Sequence, residues 1–540
     1  MRSWKAAGAA AVILPLAFLA AFFCYPVIAM LARGITGPGG LDVTGITAVL
    51  TERRTWRVIG QTVYQAGLGT IFSLLLGVPG AYVLYRLRFP GQRALRALAV
   101  VPFVLPTVVV GAAFRAVLGR GGPAAFLGLD QTVTAVILAM VFFNYSVVVR
   151  TVGTMWASLD PRSEEAARTL GASPARAFAT VTLPRLAPAI ASSGAIVFLF
   201  CSTSYGLVRT LGSPGYGTIE TEIWRRSAIY LDLKAASVLS LVQVVLVLAT
   251  LVVSERLSKR QALRLRGGVR VPVTPAAIAP AALTFMVIAG LICTPILTLI
   301  SRSLGGSAGW SLKNYRLLAT SGEGYTGGAT VLDAIWNSVR QGAMATIICL
   351  AVAVPLALVM SRPTAGAARR AQSLLGGLLL LPIGVSAVTL GFGFSLALDT
   401  PPLDLRDSRL LIPIAQAIVA LPLAVRALTP TLSAIAPAQR EAARTLGAGP
   451  WRVLATIDGP HLARGMTIAL GFAFASSLGE FGATSFLARP DTQTLPVMIV
   501  RLLGRPGSDN YGMAMAGAVV LAVLTAGIMA GAEALRKDVP

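Results

Sequence analysis

Long apolar runs dominate the chain, and short polar segments separate them. A run of about 20 apolar residues is long enough for a helix to cross a bilayer, and about twelve such runs follow one another. The predicted spans cover residues 8–31, 60–85, 95–118, 132–150, 187–208, 235–254, 277–302, 337–360, 373–398, 409–427, 466–487 and 511–533. The pattern therefore predicts an all-α polytopic membrane protein.

A long internal repeat divides the chain. The octet EAARTLGA at Glu165 to Ala172 returns unchanged at Glu441 to Ala448, an offset of 276. Other residues that return at this offset are Gln65, Thr70, Ile71, Val78, Pro79, Leu105, Pro106, Arg150, Pro214 and Thr218. Six spans per half is an even number, so the halves are predicted to be parallel repeats about a pseudo-twofold axis along the membrane normal.

The duplication predicts three segments. A first half covers residues 1–256, a basic cytoplasmic linker covers 257–275, and a second half covers 276–540. Arginines without acids also fill the segment between the second and third spans, and short basic loops are typical of the cytoplasmic side. The charge pattern therefore predicts cytoplasmic termini and places both octets in the cytoplasm.

Composition supports a membrane protein over a nucleic-acid-binding one. The net charge is +24, but apolar residues make up 55% of the chain and charged residues only 13%, about half of the roughly 25% usual in soluble domains. The first apolar run is too long for a signal peptide, and Ala21-Phe22-Phe23 does not resemble a cleavage site, so we expect a retained first span.

The octet lies in a polar loop between the fourth and fifth spans of each half, at about 157–186 and 433–463. In the first loop, Asp160 and Pro161 favour the start of a short helix. Gly171 favours its end, and Ser173-Pro174 favours the start of a second helix. The second loop repeats this pattern, so each half is predicted to carry the same bent pair of helices, here called an elbow.

The elbows resemble the signature of permeases of binding-protein-dependent ABC importers, with the MetI-like fold. The first loop matches at Glu165, Ala166, Ala167, Gly171, Val181, Leu183 and Pro184, and the second at Glu441, Ala442, Ala443, Gly447, Ile457 and Pro460. Gly459 departs from the pattern, which has Leu there, and raises a question about packing after the second elbow. A single such helix is explained by good helix propensity alone, but two copies between equivalent spans favour the family.

The resemblance implies that the elbows are coupling helices that dock on a cytoplasmic ATPase dimer, and that a solute-binding protein delivers the solute from outside a bacterial inner membrane. It is strongest with fused permeases for thiamine or ferric iron, on residues 216–226, 476–483 and 493–504. Sulfate, molybdate and polyamines stay open as solutes. None of the five lysines lies in a G-x-x-x-x-G-K-[ST] phosphate loop. We therefore expect a transport subunit that is not an enzyme and binds no cofactor, with ATP and Mg²⁺ on the partner.

Polar residues within the spans are candidates for a solute pathway. They are Asn144 in the fourth span, Ser204 and Tyr205 in the fifth, and Ser476, Ser477 and Glu480 in the eleventh. Small hydroxyl residues more often serve helix packing, and Glu480 could equally cap the next segment. With a single histidine, His461, and no cluster of metal ligands, we expect no metal site.

Two other classes have the same number of spans or a similar composition. A secondary transporter of the major-facilitator type needs intramembrane charges for ion coupling, which are scarce here, and has no use for two elbows. A membrane enzyme needs converging acid, base or nucleophile side chains, and the spans lack them.

Overall fold

The computed structural model describes residues 13–37, 40–258, 271–272, 275–306, 309–324, 328–362, 366–399 and 403–538. Most of the predicted linker lies outside these ranges. In the first half the helices are α1 Ile13–Ile35, α2 Val43–Thr51, α3 Arg53–Arg86, α4 Gln92–Val104, α5 Thr107–Leu118, α6 Val133–Ser158, α7 Arg162–Thr169, α8 Pro174–Ser202, α9 Tyr205–Leu211, α10 Ile219–Ala228 and α11 Leu233–Ser258.

The second half repeats this order with small differences at the outer loops. Its helices are α12 Ile278–Ser303, α13 Lys313–Arg316, α14 Val331–Met360, α15 Gly366–Gly384, α16 Ala387–Ala397, α17 Leu411–Ser433, α18 Pro437–Thr445, α19 Pro450–Gly479, α20 Thr484–Leu487, α21 Leu495–Leu503 and α22 Ser508–Asp538. Short 3₁₀ turns cover Ala125–Leu127, Pro275–Ala277 and Leu317–Ala319.

Strands among the described residues are two residues long and form three pairs. The strands β1 Thr36–Gly37 and β2 Gly40–Leu41 pair antiparallel, as do β5 Gly305–Gly306 and β6 Gly309–Trp310. The strands β3 Leu87–Arg88 and β4 Val271–Pro272 pair in parallel. The two antiparallel pairs each close one connection between helices, and the parallel pair joins two connections that are distant in sequence. All three are short, so the fold is all-α.

Ten of the described helices are individually long and apolar enough to cross a membrane. The helices α4 and α5 pass this test together as a pair bent by 107°. The other predicted span, at 373–398, is divided between α15 and α16. Eleven of the twelve predicted spans therefore correspond to a described helix or bent helix pair that is apolar enough to cross a membrane, and the third element of each half is broken rather than straight.

The break between α4 and α5 has a local cause. Leu105 precedes Pro106 and has an extended backbone, as residues before proline usually do, and Pro106 has no N–H to continue the helix. In the second half Ser386 begins the new helix, and its Oγ accepts a hydrogen bond from the Thr389 N–H at 3.2 Å. A proline and a capping serine thus produce equivalent breaks.

The structure corrects one pairing of the repeat. At an offset of 276, Pro106 would match Pro382, but Pro382 lies inside α15 as Pro102 lies inside α4. Gln92 and Gln372 also match at this larger offset of 280, and each donates from its side chain to backbone carbonyls at the preceding bend. The matching Leu-Pro pairs are therefore a coincidence, because the second half has gained four residues before its third span.

Elsewhere the two halves reproduce each other's contacts. The Thr62 hydroxyl accepts a hydrogen bond from the Ile219 N–H at 3.0 Å, and the Ser338 hydroxyl accepts one from the Leu495 N–H at 2.7 Å. Both pairs are related by the offset of 276. Each contact caps the short helix that precedes the last span, so this part of the fold is duplicated in detail.

The chain forms two compact units that do not coincide with the sequence halves. One unit contains residues 50–222 and 242–302, and the other contains residues 1–49, 223–241 and 303–540. In the first of these, α12 packs against α3; in the second, α1 packs against α16. The first span of each half therefore packs on a helix of the other half. The predicted division at residue 256 describes the sequence repeat and not the compact units.

Each elbow follows one of the two most buried spans among the described helices. In their most apolar stretches, 67% of α6 and 78% of α17 is buried, whereas the value is 33% for α1 and for α12. The helix α6 leads directly into the first elbow, and α17 leads into the second. Each elbow is therefore continuous with a well-buried helix of its own unit.

Candidate functional site

The first elbow consists of α7, a glycine turn and the start of α8. The Asp160 carboxylate accepts a hydrogen bond from the Arg162 N–H at 3.0 Å, and α7 begins at Arg162, one residue later than predicted. Gly171 has a φ of +89°, and the Ala172 N–H donates to the Ala167 carbonyl at 3.1 Å. This is the Schellman ending of a helix, which favours glycine because other residues are strained at positive φ.

The second elbow has the same backbone. Gly447 has a φ of +80°, and the Ala448 N–H donates to the Ala443 carbonyl at 2.9 Å. The helix α19 continues through Gly459 with ordinary helical dihedral angles, φ −57° and ψ −51°. The departure from the signature at Gly459 thus leaves the helix intact.

The signature residues lie mostly on the surface of the elbows. Those that are exposed are Glu165, Ala166, Gly171, Leu183, Pro184, Glu441, Ala442, Gly447 and Pro460, and those that are half-buried are Ala167, Val181, Ala443 and Ile457. None of the residues of α7 is buried. Such a helix contributes little to the core of its own unit, so the repetition of its sequence in both halves needs another explanation.

A leucine lies at the tip of each elbow, and sequence reasoning did not single it out. Leu170 is 89% exposed and Leu446 is 87% exposed, and each directly precedes the turn glycine. In the second elbow Trp451 is also exposed. A single exposed leucine needs no explanation, but the same leucine is exposed at the equivalent position of both elbows, which favours a surface that a partner covers. The signal in the sequence was a large apolar residue on a polar helix without another large apolar residue one turn away.

The first elbow is held to its unit by polar side chains. The Thr182 hydroxyl donates to the Glu164 carboxylate at 3.1 Å, and the Arg185 guanidinium donates to the Ser163 hydroxyl at 2.8 Å. Both contacts tie α7 to the beginning of the fifth span. Neither is an ion pair, and Glu164 is half-buried.

The second elbow is held by a buried ion cluster. The Asp458 carboxylate is fully buried; the Arg440 guanidinium lies 2.8 Å from its Oδ1 and the Arg362 guanidinium 3.2 Å from its Oδ2. Arg440 also donates to the Leu432 carbonyl at 3.2 Å. This cluster joins α18 to residues at the ends of α14 and α17 and near the start of α19. At the offset of 276, Arg362 matches Arg86, whereas Arg440 and Asp458 replace Glu164 and Thr182, so the two anchors differ in chemistry.

The Glu480 carboxylate has hydrogen-bond partners at the start of the following helix. Its carboxylate is buried and accepts hydrogen bonds from the Ala483 N–H at 2.7 Å and the Thr484 N–H at 2.9 Å, as well as from the Thr484 hydroxyl. Glu480 lies in the break between α19 and α20 and caps α20. Ser204 occupies the equivalent break between α8 and α9. The geometry matches the capping alternative, and a pathway role stays a prediction.

The other pathway candidates are half-buried or buried. Asn144 donates from its amide to the Met140 carbonyl at 2.9 Å and to the Cys201 sulfur at 3.4 Å, which links the fourth span to the fifth. Ser477 donates to the Ala473 carbonyl at 2.8 Å within its own helix. Ser204 and Ser476 are half-buried, and Tyr205 is buried. These contacts serve helix packing, and none of them tests a role in solute passage.

Sequence comparison decides the family. The family of binding-protein-dependent transport system inner membrane components matches residues 69–267 and 353–539, once in each half and across both elbows. This chain belongs to that family. It is therefore a multi-pass permease of the inner membrane and serves transport rather than catalysis, and the major-facilitator and membrane-enzyme alternatives have no support of their own.

Curated relatives cover most of the chain. The thiamine transport system permease proteins of Salmonella typhimurium and Brucella abortus are 27% identical over 506 residues and 28% identical over 549 residues. The alignments cover 89% of both chains in the first case, and 97% of this chain and 95% of the relative in the second. A sulfate transport system permease protein of Escherichia coli is 35% identical over 169 residues, which is 30% of this chain and 60% of that protein.

Among solved structures, a bacterial ABC transporter that imports the acidic polysaccharide alginate matches 49% of this chain and 100% of its own, with a TM-score of 0.41 and 18% identity.

Proposed function

We propose that this permease imports thiamine, driven by a separate ATPase that grips its two elbows. The support for the solute is that the thiamine permeases align with 86–97% of the chain, whereas the sulfate permease aligns with 30% of it. A thiamine permease is expected to pass a cation that a solute-binding protein delivers from outside.

The proposed docking surface is the exposed face of each elbow. Leu170 and Leu446 would enter apolar pockets of the two ATPase subunits, and the small Ala166 and Ala442 would allow close approach. Burying a leucine side chain stabilises an interface by about 1.5–3 kcal/mol. The observation that supports this proposal most strongly is the near-complete exposure of the same leucine in both copies.

The elbows would convert ATPase closure into movement of the spans. Each elbow is tied to the start of the span that follows it, through Thr182 in the first half and Asp458 in the second. A rigid displacement of α7 or α18 would therefore shift α8 or α19, as in other packed helices that move as units. Alternating access would follow from rocking of the two units.

The location of the nucleotide site and the orientation in the membrane belong to the same proposal. ATP and Mg²⁺ would bind the partner, because this sequence lacks a phosphate loop, and the permease itself would bind no cofactor. The basic segments would keep both termini and both elbows in the cytoplasm.

Uptake of labelled thiamine by a strain deleted for this gene tests the solute. The proposal expects uptake to be lost, restored by the wild-type gene, and not reduced by excess ferric iron or sulfate. Restored uptake of ferric iron or sulfate, without thiamine uptake, would refute the solute but leave the family unchanged. Copurification of the wild-type permease with its ATPase tests the docking surface separately.

A further inference from the structure

A cavity of about 520 Å³ lies beside the second elbow. Its volume is within the range of about 300–1,000 Å³ that is usual for small-molecule sites. The lining residues come from the ends of α14 and α17, from α15 and from α18; they are Met360, Ser361, Arg362, Arg369, Gln372, Ser433, Ile435, Pro437 and Arg440. Four helical segments of the same unit thus meet around one space.

The cavity is basic and polar. Three of the nine described lining residues are arginines, none of the nine is acidic, and two serines and a glutamine add hydrogen-bonding groups. Asp458 lies behind the lining, in contact with Arg362 and Arg440. Burial lowers the pKa of Arg362; Asp458 opposes the shift, and the guanidinium groups of Arg440 and Arg444 add to it. Neighbouring cations therefore act on the cavity wall, and an anion would relieve their repulsion.

A much smaller space lies beside the first elbow. About 10 Å³ is accessible between Arg86, Trp156, Glu164 and their neighbours. Trp156 stacks on Phe178 with ring centroids 5.9 Å apart and lies 5.2 Å from the ring of Tyr82. At the offset of 276, leucines replace all three aromatic residues, at 358, 432 and 454. The two elbows therefore differ in the aromatic packing and in the space beside them.

We propose that this cavity binds a phosphate-bearing anion, and that the bound anion braces the second elbow against the spans. Arginine is suited to phosphate because its planar guanidinium donates two parallel hydrogen bonds. The phosphate could belong to the headgroup of an anionic lipid, since basic pockets on the cytoplasmic side of helix bundles bind such headgroups, or to a soluble phosphate compound. The proposal does not depend on which solute the permease transports.

The test uses the full-length permease in lipid nanodiscs. Thermal unfolding is measured in phosphatidylcholine alone, with added inorganic phosphate, and with a minor fraction of phosphatidylglycerol. The informative variant is Arg369→Gln, because Arg369 is exposed, lines the cavity and takes no part in the contact with Asp458. The matched control is Arg93→Gln, which removes the same charge near the start of α4 in the first half.

The wild type and Arg93→Gln are expected to be stabilised by inorganic phosphate or by phosphatidylglycerol, with apparent binding weakened about tenfold in Arg369→Gln. Stabilisation by phosphate identifies a soluble ligand, and stabilisation by phosphatidylglycerol alone identifies a lipid headgroup. A second variant, Ser433→Phe, narrows the cavity without changing its charge and is expected to weaken binding as well. Equal responses of Arg369→Gln and Arg93→Gln, or full binding in Ser433→Phe, would overturn the proposal.

Discussion

Replacing Asp458 by alanine is expected to release the second elbow from its unit. Asp458 is fully buried, and Arg440, at 7% exposure, retains only the Leu432 carbonyl among the contacts described above. The substitution leaves a buried guanidinium without its carboxylate. Removing one partner of a buried ion pair typically costs about 3–5 kcal/mol.

The first half supplies a matched control at the same place. Thr182→Val removes the hydroxyl that donates to Glu164, and Glu164 is half-buried and can be hydrated instead. Loss of such a hydrogen bond costs about 1 kcal/mol. The difference between the two substitutions is therefore expected to be about 2–4 kcal/mol.

Hydrogen exchange of the elbow amides measures this difference locally. Since each 1.4 kcal/mol is a factor of ten, Asp458→Ala is expected to speed exchange in α18 by about 100-fold or more. Thr182→Val is expected to speed exchange in α7 by about tenfold at most. Asp458→Asn, which keeps the shape and the acceptor oxygen, should lie between Asp458→Ala and the wild type.

The same variants separate anchoring from folding. Transported thiamine per ATP hydrolysed should fall in Asp458→Ala, while the amount of permease in the membrane and the exchange of α7 stay near wild type. If Asp458→Ala and Thr182→Val changed their elbows equally, or if transport per ATP were unaffected by a mobile α18, the buried ion cluster would have no role in coupling.

Three further substitutions test other parts of the account. Leu170→Asp together with Leu446→Asp should abolish copurification with the ATPase without changing thermal unfolding, because both side chains are exposed; retention of the ATPase would contradict the docking surface. Gly447→Ala should destabilise the second elbow by about 1–2 kcal/mol, since φ is +80°, and a fully retained α18 exchange pattern would argue against strain. Glu480→Gln should lower the unfolding temperature, because Gln has one acceptor oxygen for the N–H groups of Ala483 and Thr484, and leave the KM for thiamine unchanged; a raised KM at unchanged stability would restore Glu480 to the pathway.

The elbows were predictable because their local chemistry determines their structure. Gly171 and Gly447 have the positive φ that the sequence indicated, and the helices begin within about one residue of the predicted prolines. The number of apolar elements was also predictable, since each run had to be long enough to cross a bilayer.

What sequence reasoning missed depends on contacts between distant residues. Asp458 looks like an ordinary cytoplasmic acid until the fold brings it to Arg362 and Arg440, which are 96 and 18 residues away. For Glu480 the sequence left a pathway role and a capping role open, and its hydrogen bonds to two backbone N–H groups of the next helix match the capping role without testing the other. The breaks at Pro106 and Ser386 divide apolar runs that by composition alone predict one continuous helix each.

The exchange of first spans could not be predicted from the repeat. Duplication shows which segments are equivalent in sequence. It does not show whether α1 and α12 contact helices of their own half or of the other half. Both helices are apolar, and only 33% of their most apolar stretch is buried, so little in their own pattern distinguishes one partner helix from another.

Thiol labelling in oriented membrane vesicles is the most direct test of the central claim that two cytoplasmic elbows receive the ATPase. Leu170→Cys and Leu446→Cys are introduced after replacement of the natural cysteines, which lie in apolar helices at positions 24, 201, 293 and 349. A membrane-impermeant maleimide should label both sites in inside-out vesicles stripped of ATPase, and bound ATPase should protect both. Labelling of either site in right-side-out vesicles, or unchanged labelling in the presence of the ATPase, would contradict the account.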